Sequence, residues 1–299
     1  MSKGTGFSLV ELAVALAIIA LLLAGALIPL STQVDVRNSA DTQRGMESIR
    51  DAIVGFAQAN GRLPCPADGS VPAGAAGAGT ERVSGNSCAA VNSASCTAIN
   101  GAIPCSVLPW ATLGVPETDA WGRRFSYRAS QVFADSFAAS TWTTINPGAQ
   151  SPACNPNPAL TSPTSFALCT LGDIAVWTRG GTTTTATPLG TALAAVIISH
   201  GKNGFGAWQT NGTRLNPIPT GNDEAANANG NTQATPQPSP PGYASWAYYS
   251  RTRAPAAAGC VDPAPGFTSA APACEFDDVV LMISSNTLIA RMVAAGKLP

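Results

Sequence analysis

An uninterrupted apolar segment near the amino terminus constrains the fold of this chain more than any other feature. From Leu12 to Leu30 every residue is apolar, glycine or proline. Because a helix needs about 20 such residues to cross a bilayer, the segment is long enough to be a membrane span. Glu11 borders the segment on its amino-terminal side. A lone carboxylate at that position is costly in a membrane, so we expect Glu11 to have a partner and a function.

Three ordinary interpretations of this segment compete. A plain membrane anchor is compatible with its length but leaves Glu11 unexplained. A secretory signal peptide cleaved after Ala26 fits the small residues Ala24 and Ala26 on either side of Gly25. A buried helix of a cytosolic protein fits the apolar composition, but the cysteine content argues against that location. A fourth interpretation accounts for more of the residues.

The residues from Gly6 to Leu12 read GFSLVEL, and this motif resembles the processing site of type IV prepilins and type II secretion pseudopilins. The resemblance implies that a prepilin peptidase cleaves after Gly6 and methylates the new amino-terminal Phe7. Residues 1–6 would then be the leader peptide, and Glu11 would be the fifth residue of the mature chain. It also implies a single-pass protein of the bacterial inner membrane with its head in the periplasm.

The chemistry of cleavage supplies a role for Glu11 in assembly. Cleavage after Gly6 frees the α-amine of Phe7, which is positively charged at neutral pH and stays charged when methylated. When the helices of neighbouring subunits pack together, Glu11 of one subunit can pair with the Phe7 amine of the next. Each charge alone is expensive in an apolar bundle, whereas the pair is tolerated. The pair therefore sets the axial stagger between subunits.

Helical periodicity continues beyond the apolar segment. Met46, Ile49, Ile53 and Phe56 recur at steps of three and four residues, as one buried face of an amphipathic helix does. The pair Asn60-Gly61 predicts the end of the helix. We therefore predict one helix over about residues 7–59, with a membrane-spanning half (7–30) and an amphipathic half (31–60).

Residues 61–299 form the predicted globular head. Apolar runs at 174–177, 193–199 and 279–283 predict core strands. A polar run at about 216–242 predicts a long, flexible, exposed loop. A C-terminal helix is predicted with Asn286 as its N-cap and Gly296 as its stop. The segment 119–127 resembles the turn and strand that open the sheet in many pseudopilins. The predicted fold class is α+β and pilin-like, a long helix on an antiparallel sheet. Its core is expected to place the helix against Val176, Val196, Ile198 and Val280.

The cysteine count is even and the spacing is loose, which predicts disulfides in an oxidising compartment rather than a metal site. Proximity suggests that Cys154 pairs with Cys169 and Cys260 with Cys274, and that the other four pair among themselves. The eight cysteines are Cys65, Cys88, Cys96, Cys105, Cys154, Cys169, Cys260 and Cys274.

Residues for enzymatic chemistry are few, and we predict that the protein is not an enzyme. His200 is the one histidine, and a structural role is expected of it because it lies between a predicted strand and a glycine-rich turn. No cofactor is predicted. Asp277 and Asp278 are candidate calcium ligands with Asp68, Asp119 or Asp173, since hard cations prefer carboxylates, although a solvated strand edge is favoured. Charged residues make up only 11% of the chain, so no nucleic-acid-binding face is predicted.

The sequence thus predicts a structural subunit, a minor pilin or pseudopilin, of a type IV pilus or type II secretion pseudopilus. Its predicted partners are prepilin peptidase, other pilin subunits through the amino-terminal helix, and the inner membrane. Two alternatives stay open: a periplasmic binding or adhesin domain on a plain anchor, and an exported hydrolase with a cleaved signal peptide.

Overall fold

The computed structural model describes residues 9–84, 87–88, 106–134, 166, 168, 170–179, 186–215, 222–229, 231–232, 246–252 and 276–298. The chain divides into two compact units, Met1–Asp41 and Thr42–Pro299. In chain order the elements are α1 Leu9–Asn60, β1 Ala67–Asp68, β2 Val83–Ser84, β3 Ser87–Cys88, β4 Ser106–Val107, α2 Trp110–Leu113, β5 Arg123–Arg124, β6 Ser126–Ala129, α3 Gln131–Ala134, β7 Ile174–Thr178, β8 Thr187–Ser199, β9 Trp208–Gln209, α4 Asn222–Asn229, β10 Asn231–Thr232, β11 Trp246–Tyr249, β12 Val279–Ser284 and α5 Ser285–Ala294.

Helix α1 has 52 residues and ends where the sequence predicts. The side chain of Asn60 donates to the carbonyl of Phe56 at 2.9 Å, and the amide of Gly61 donates to the carbonyl of Ala57 at 2.8 Å. Gly61 has a φ of 73°, a left-handed conformation that glycine adopts without the steric cost of a Cβ atom. The contact of Gly61 satisfies one of the four last carbonyls, which have no partner within the helix.

Among the residues that the structure describes, the head contains one large sheet, and this sheet is mixed rather than antiparallel. Its strands follow the order β1-β4-β6-β8-β7-β11-β10, with β12 paired to β8. β11 runs parallel to β7, with Trp246 opposite Ile174; the other pairs of this sheet are antiparallel. The prediction of a purely antiparallel sheet is therefore wrong for β11. Since β7 and β11 are far apart in sequence, no hairpin turn imposes an antiparallel direction on them.

The helix packs on one face of this sheet, and the prediction identified the wrong face of the central strand. Met46, Ile49 and Ile53 are fully buried as predicted, and they share a core with Ile197 and other residues of the sheet. Phe56 is only half-buried. The predicted partners belong instead to a second cluster, which includes Val176, Val196, Ile198, Trp246 and Tyr248, with Val280 packed against it.

The error over the sheet face follows from strand geometry. Successive side chains of a strand point to opposite faces, so Val196 and Ile198 face away from the side that Ile197 occupies. Every residue from Leu193 to Ser199 is buried. Because both faces of this stretch are covered, its sequence carries no polar alternation that could reveal which residues meet the helix.

The segment predicted as a flexible, exposed loop contains a buried helix. Within about 216–242, α4 spans Asn222–Asn229 and β10 pairs with β11. Glu224, Ala226 and Asn227 are buried. The prediction of an exposed loop is therefore wrong for these elements, because the segment is covered by tertiary contacts that its polar composition does not indicate.

Two further predictions concern the carboxyl-terminal helix and the cysteines. Helix α5 begins two residues earlier than predicted: Ser284 rather than Asn286 is the N-cap, and its side chain accepts from the amide of Thr287 at 3.1 Å.

Cys65 and Cys88 form a disulfide across 23 residues. A loop of that length contributes about 3 kcal/mol in the chain-entropy treatment. The proposed pairs Cys154–Cys169 and Cys260–Cys274, together with Cys96 and Cys105, lie outside the described residues.

Candidate functional site

The first candidate site is the amino-terminal end of α1. Gly6 and Phe7 lie outside the described residues, which begin at Leu9. Glu11 stands in the first turn of the helix. The position that the sequence assigns to the assembly glutamate is therefore in the first described turn of α1.

This end of α1 exposes large apolar side chains within its own unit. Leu9 is 87% exposed and Val10 71%, and Leu16 and Ile19 are more than half exposed. A contiguous apolar surface of this kind marks a place where another molecule or a membrane binds. Among the described residues, no helix meets the length and hydropathy needed for a bilayer span.

A second candidate site lies in the head, where the turn that begins at Asp119 meets the end of β8. Asp119 accepts from the amides of Trp121 and Arg123 at 3.0 Å each, and from the hydroxyl of Ser199 at 2.6 Å. A carboxylate that accepts several charge-assisted hydrogen bonds stabilises a turn. The contacts of Asp119 thus tie the turn to β8, which is a structural role.

A chain of polar side chains continues from this point into the head. His200 is fully buried, and its Nε2 atom lies 2.8 Å from the hydroxyl of Ser126. Its Nδ1 atom lies 3.6 Å from a carboxylate oxygen of Asp278, which is longer than a hydrogen bond. The other oxygen of Asp278 accepts from the side chain of Asn227 at 2.8 Å. Asn227 also bonds both the amide and the carbonyl of Tyr249.

Three carboxylates meet beside this row of polar side chains. We call Glu224, Asp277 and Asp278 the acidic cluster. One oxygen from each lies within 4.8 Å of the others. Asn203 connects two of them: its side chain donates to Glu224 at 3.2 Å, and its amide donates to Asp277 at 2.7 Å. The turn that presents Asn203 depends on Gly201, which has a φ of 55° and whose Cβ position would collide with the backbone of Asp277.

Burial and charge together change the protonation of this cluster. The pKa of Glu224 is raised to about 8, first by burial and then by the negative charges of Asp278 and Asp277. Three adjacent carboxylates are tolerated when one of them holds a proton or when the cluster binds a hard cation such as calcium, which takes oxygen ligands. The carboxylate oxygens of the acidic cluster are of the ligand type that such an ion takes.

The raised pKa predicts that the head loses stability between about pH 4.5 and pH 8. In this interval folded Glu224 keeps its proton, whereas unfolded Glu224, with a pKa near 4.5, has lost it. The folded state then binds more protons, so the free energy of unfolding falls as the pH rises. Glu224→Gln should remove this dependence and stabilise the protein by on the order of a few kcal/mol at pH 8. Denaturant unfolding with a chelator present, at pH 5 and pH 8, measures it.

The matched control for this prediction is Glu47→Gln, because Glu47 is exposed on α1. That variant should follow the pH profile of the wild type. Parallel profiles for Glu224→Gln and the wild type would contradict the shift.

The structure separates most of the carboxylates that the sequence grouped as calcium ligands. Asp277 and Asp278 do lie together, but Asp68 pairs with Arg82 at 2.6 Å, and Asp119 holds the turn described above. The pKa of Asp173 is raised by burial, and its amide bonds the hydroxyl of Ser130 at 3.2 Å. The third member of the cluster is instead Glu224.

Sequence reasoning missed Glu224, Asn227 and Ser126. One local signal for α4 was present: Asp223 and Glu224 stand in its first turn, where acidic residues favour a helix start. Nothing local indicates that α4 meets Asp277, because Glu224 and Asp277 are 53 residues apart. Ser126 shows no local signal, because its contact with His200 joins residues 74 positions apart.

Comparison with known proteins bears on the amino terminus alone. Residues 1–27 match the family model of the prokaryotic N-terminal methylation motif, so the leader is of the type IV prepilin kind. This match supports a type IV pilin-like or pseudopilin-type protein. No curated protein and no solved structure matches the chain. The match covers 27 of 299 residues and includes no residue of the head.

Proposed function

We propose that this protein is a structural subunit, a minor pilin or pseudopilin, of a type IV pilus or a type II secretion pseudopilus. The observation that carries the proposal is the methylation motif at residues 1–27, which overlaps the beginning of a 52-residue helix with Glu11 in its first turn. Prepilin peptidase processes the chain between Gly6 and Phe7. The mature helix then anchors it in the inner membrane with the head in the periplasm.

The assembly step in this proposal follows from electrostatics. The exposed apolar residues of α1 pack against equivalent helices of neighbouring subunits, where van der Waals contact and polar pairs hold helices together. Glu11 pairs with the amine of Phe7 on the neighbour, since a buried pair is tolerated where either charge alone is not.

We place no catalysis and no resident cofactor in this function. Ser126, His200 and Asp278 follow one another as in a serine hydrolase, but the His200–Asp278 distance of 3.6 Å exceeds a hydrogen bond. Ser126 lies inside a sheet strand with β4 and β8 on its two sides, whereas hydrolase nucleophiles of α/β type stand on exposed turns. A structural role for the chain of polar residues accounts for both features.

The identity of the mature amino terminus tests the proposal. The full-length gene product, purified from the membranes of a host with an active prepilin peptidase, should begin at Phe7 and carry one added methyl group. Intact-mass measurement and amino-terminal sequencing detect both. A mature chain that begins at Leu27 would support the exported-hydrolase alternative. A chain that keeps residues 1–6 in the presence of active peptidase would support a plain anchor, and either result would contradict the proposal.

A further inference from the structure

The central strand β8 is longer than the strand that covers one of its two edges. Leu193 pairs with Ile174 of β7 and also with Ser284 of β12. Because a strand residue has one neighbour on each side, β7 and β12 lie on opposite edges of β8. Helix α5 begins directly after β12, at Ser285. Within the described part of the chain, β7 is therefore the only strand beside residues 187–191. Ala192 has a φ of 53°, and its carbonyl accepts from the amide of Gly172 and the hydroxyl of Ser285.

A groove lies beside this unpaired edge. It has a volume of about 680 Å³, within the range of ligand-binding clefts. Leu189, Gly190 and Thr191 line it from β8, the last residues of β12 close one end, and two helices form the remaining wall. The helix residues that line it are Arg50, Asp51, Val54, Gly55 and Gln58 from α1, and Thr287 and Arg291 from α5.

The exposed edge defines the chemistry of the occupant. Backbone amides and carbonyls at an unpaired strand edge are a template for another strand, and a peptide that adds there is held by main-chain hydrogen bonds. Leu189 is 50% exposed at this edge, and Leu193, Met282 and Val54 add apolar surface to the groove. An extended peptide matches both features, because its backbone pairs with β8 while alternate side chains enter the groove.

Charge specifies one side chain of that peptide. Arg50 donates to Asp51 at 3.3 Å, so this pair is close to neutral. Arg291 also lines the groove, and no described carboxylate forms an ion pair with it. The groove thus holds one uncompensated cation at its helical wall, which favours a carboxylate on the bound peptide.

We propose that this groove binds an extended, carboxylate-bearing segment of a partner protein, which adds to the free edge of β8 at residues 187–191 as a further strand. The segment continues the position of β12 past Ser284, and its acidic side chain pairs with Arg291. The proposal is independent of the amino-terminal helix, because every residue involved belongs to the unit that begins at Thr42.

A blocked heptapeptide that alternates valine with threonine around a central glutamate tests the proposal on the full-length protein in detergent. Fluorescence anisotropy of the labelled peptide should show saturable binding. Methylation of alternate backbone nitrogens should weaken binding at least about tenfold, because it removes two or three interstrand hydrogen bonds. Replacement of the central glutamate by lysine, or the variant Arg291→Gln, should weaken it by about threefold to fivefold.

The control variant is Arg37→Gln, which changes an exposed arginine outside the groove and should bind the peptide like the wild type. Absence of saturable binding up to millimolar peptide, or equal binding of the methylated peptide, would overturn the added strand. Equal binding by Arg291→Gln would overturn the carboxylate contact. Dimerisation of the peptide-free chain that the heptapeptide reverses would assign the edge to a second copy and overturn the partner segment.

Discussion

Glu11→Ala should reduce incorporation of the mature protein into the pilus or pseudopilus at least tenfold. The proposed pair joins Glu11 to the Phe7 amine of the neighbouring subunit, and removal of one member of a buried ion pair leaves the other charge uncompensated. Such a loss costs about 3 to 5 kcal/mol, and tenfold in an equilibrium corresponds to about 1.4 kcal/mol. The expected defect is therefore severe even when solvent weakens the pair.

The measurement separates assembly from the steps before it. Sheared surface fractions and membranes are immunoblotted for the head, and the mature mass is checked in the membrane fraction. Glu11→Ala should leave the membrane pool and its processing intact while the assembled fraction disappears. Glu11→Asp keeps the charge on a shorter side chain and should give an intermediate level.

Glu47→Ala is the matched control, because Glu47 is a solvent-exposed glutamate of the same helix. It should assemble like the wild type. Assembly of Glu11→Ala at the wild-type level would contradict the pairing, and an equal defect in both variants would point to the helix rather than to the charge.

The second large effect concerns Arg124, a charged residue with no exposed surface. Its guanidinium pairs with Glu117 at 2.7 Å and donates to the carbonyls of Gly69, Val71 and Thr210 at 2.8, 2.8 and 3.1 Å. Arg124→Ala should lower the free energy of unfolding by about 3 to 5 kcal/mol, because it leaves a partly buried carboxylate and three carbonyls without their donor. The melting temperature should fall by roughly 10 °C.

The shape of the guanidinium is part of this effect. Arg124 also lies 4.5 Å above the ring of Trp110, which adds a cation–π contact. Arg124→Lys retains the charge but lacks the planar fork of donors, so an intermediate loss is expected. Arg37→Ala serves as the control, because its partner Asp41 is also exposed, and such pairs contribute about 0 to 1 kcal/mol. A loss below about 1 kcal/mol in Arg124→Ala would contradict the anchoring role.

The burial of Arg124 could not be predicted from the sequence. The turn around Asp119 was recognisable as the start of a strand, and the structure contains β5 and β6 there. No pattern indicated that Arg124 would be buried, since arginine is normally exposed. Its partners lie between 7 and 86 residues away along the chain, so only the folded chain brings them together.

Local patterns predicted the elements better than their arrangement. The long helix, its end at Asn60 and the strands predicted at 174–177, 193–199 and 279–283 follow from periodicity and stop signals. The structure contains all of them, although β8 begins earlier than predicted, at Thr187. The parallel direction of β11, the face of β8 that meets α1 and the helix α4 did not follow. Each of these three features depends on which distant segment of the chain packs against the strand or helix, and neighbouring residues in the sequence do not indicate that segment.

By itself the sequence determined the prepilin-type leader, the long helix with Glu11 in its first turn, and the α+β class of the head. These features depend on residues a few positions apart, whose side chains share one helix face or one strand. Only the tertiary structure decided that Glu224 joins Asp277 and Asp278, and that β12 stops short of the end of β8. Both depend on contacts between distant segments, which form because burial of apolar surface, and not local spacing, brings those segments together.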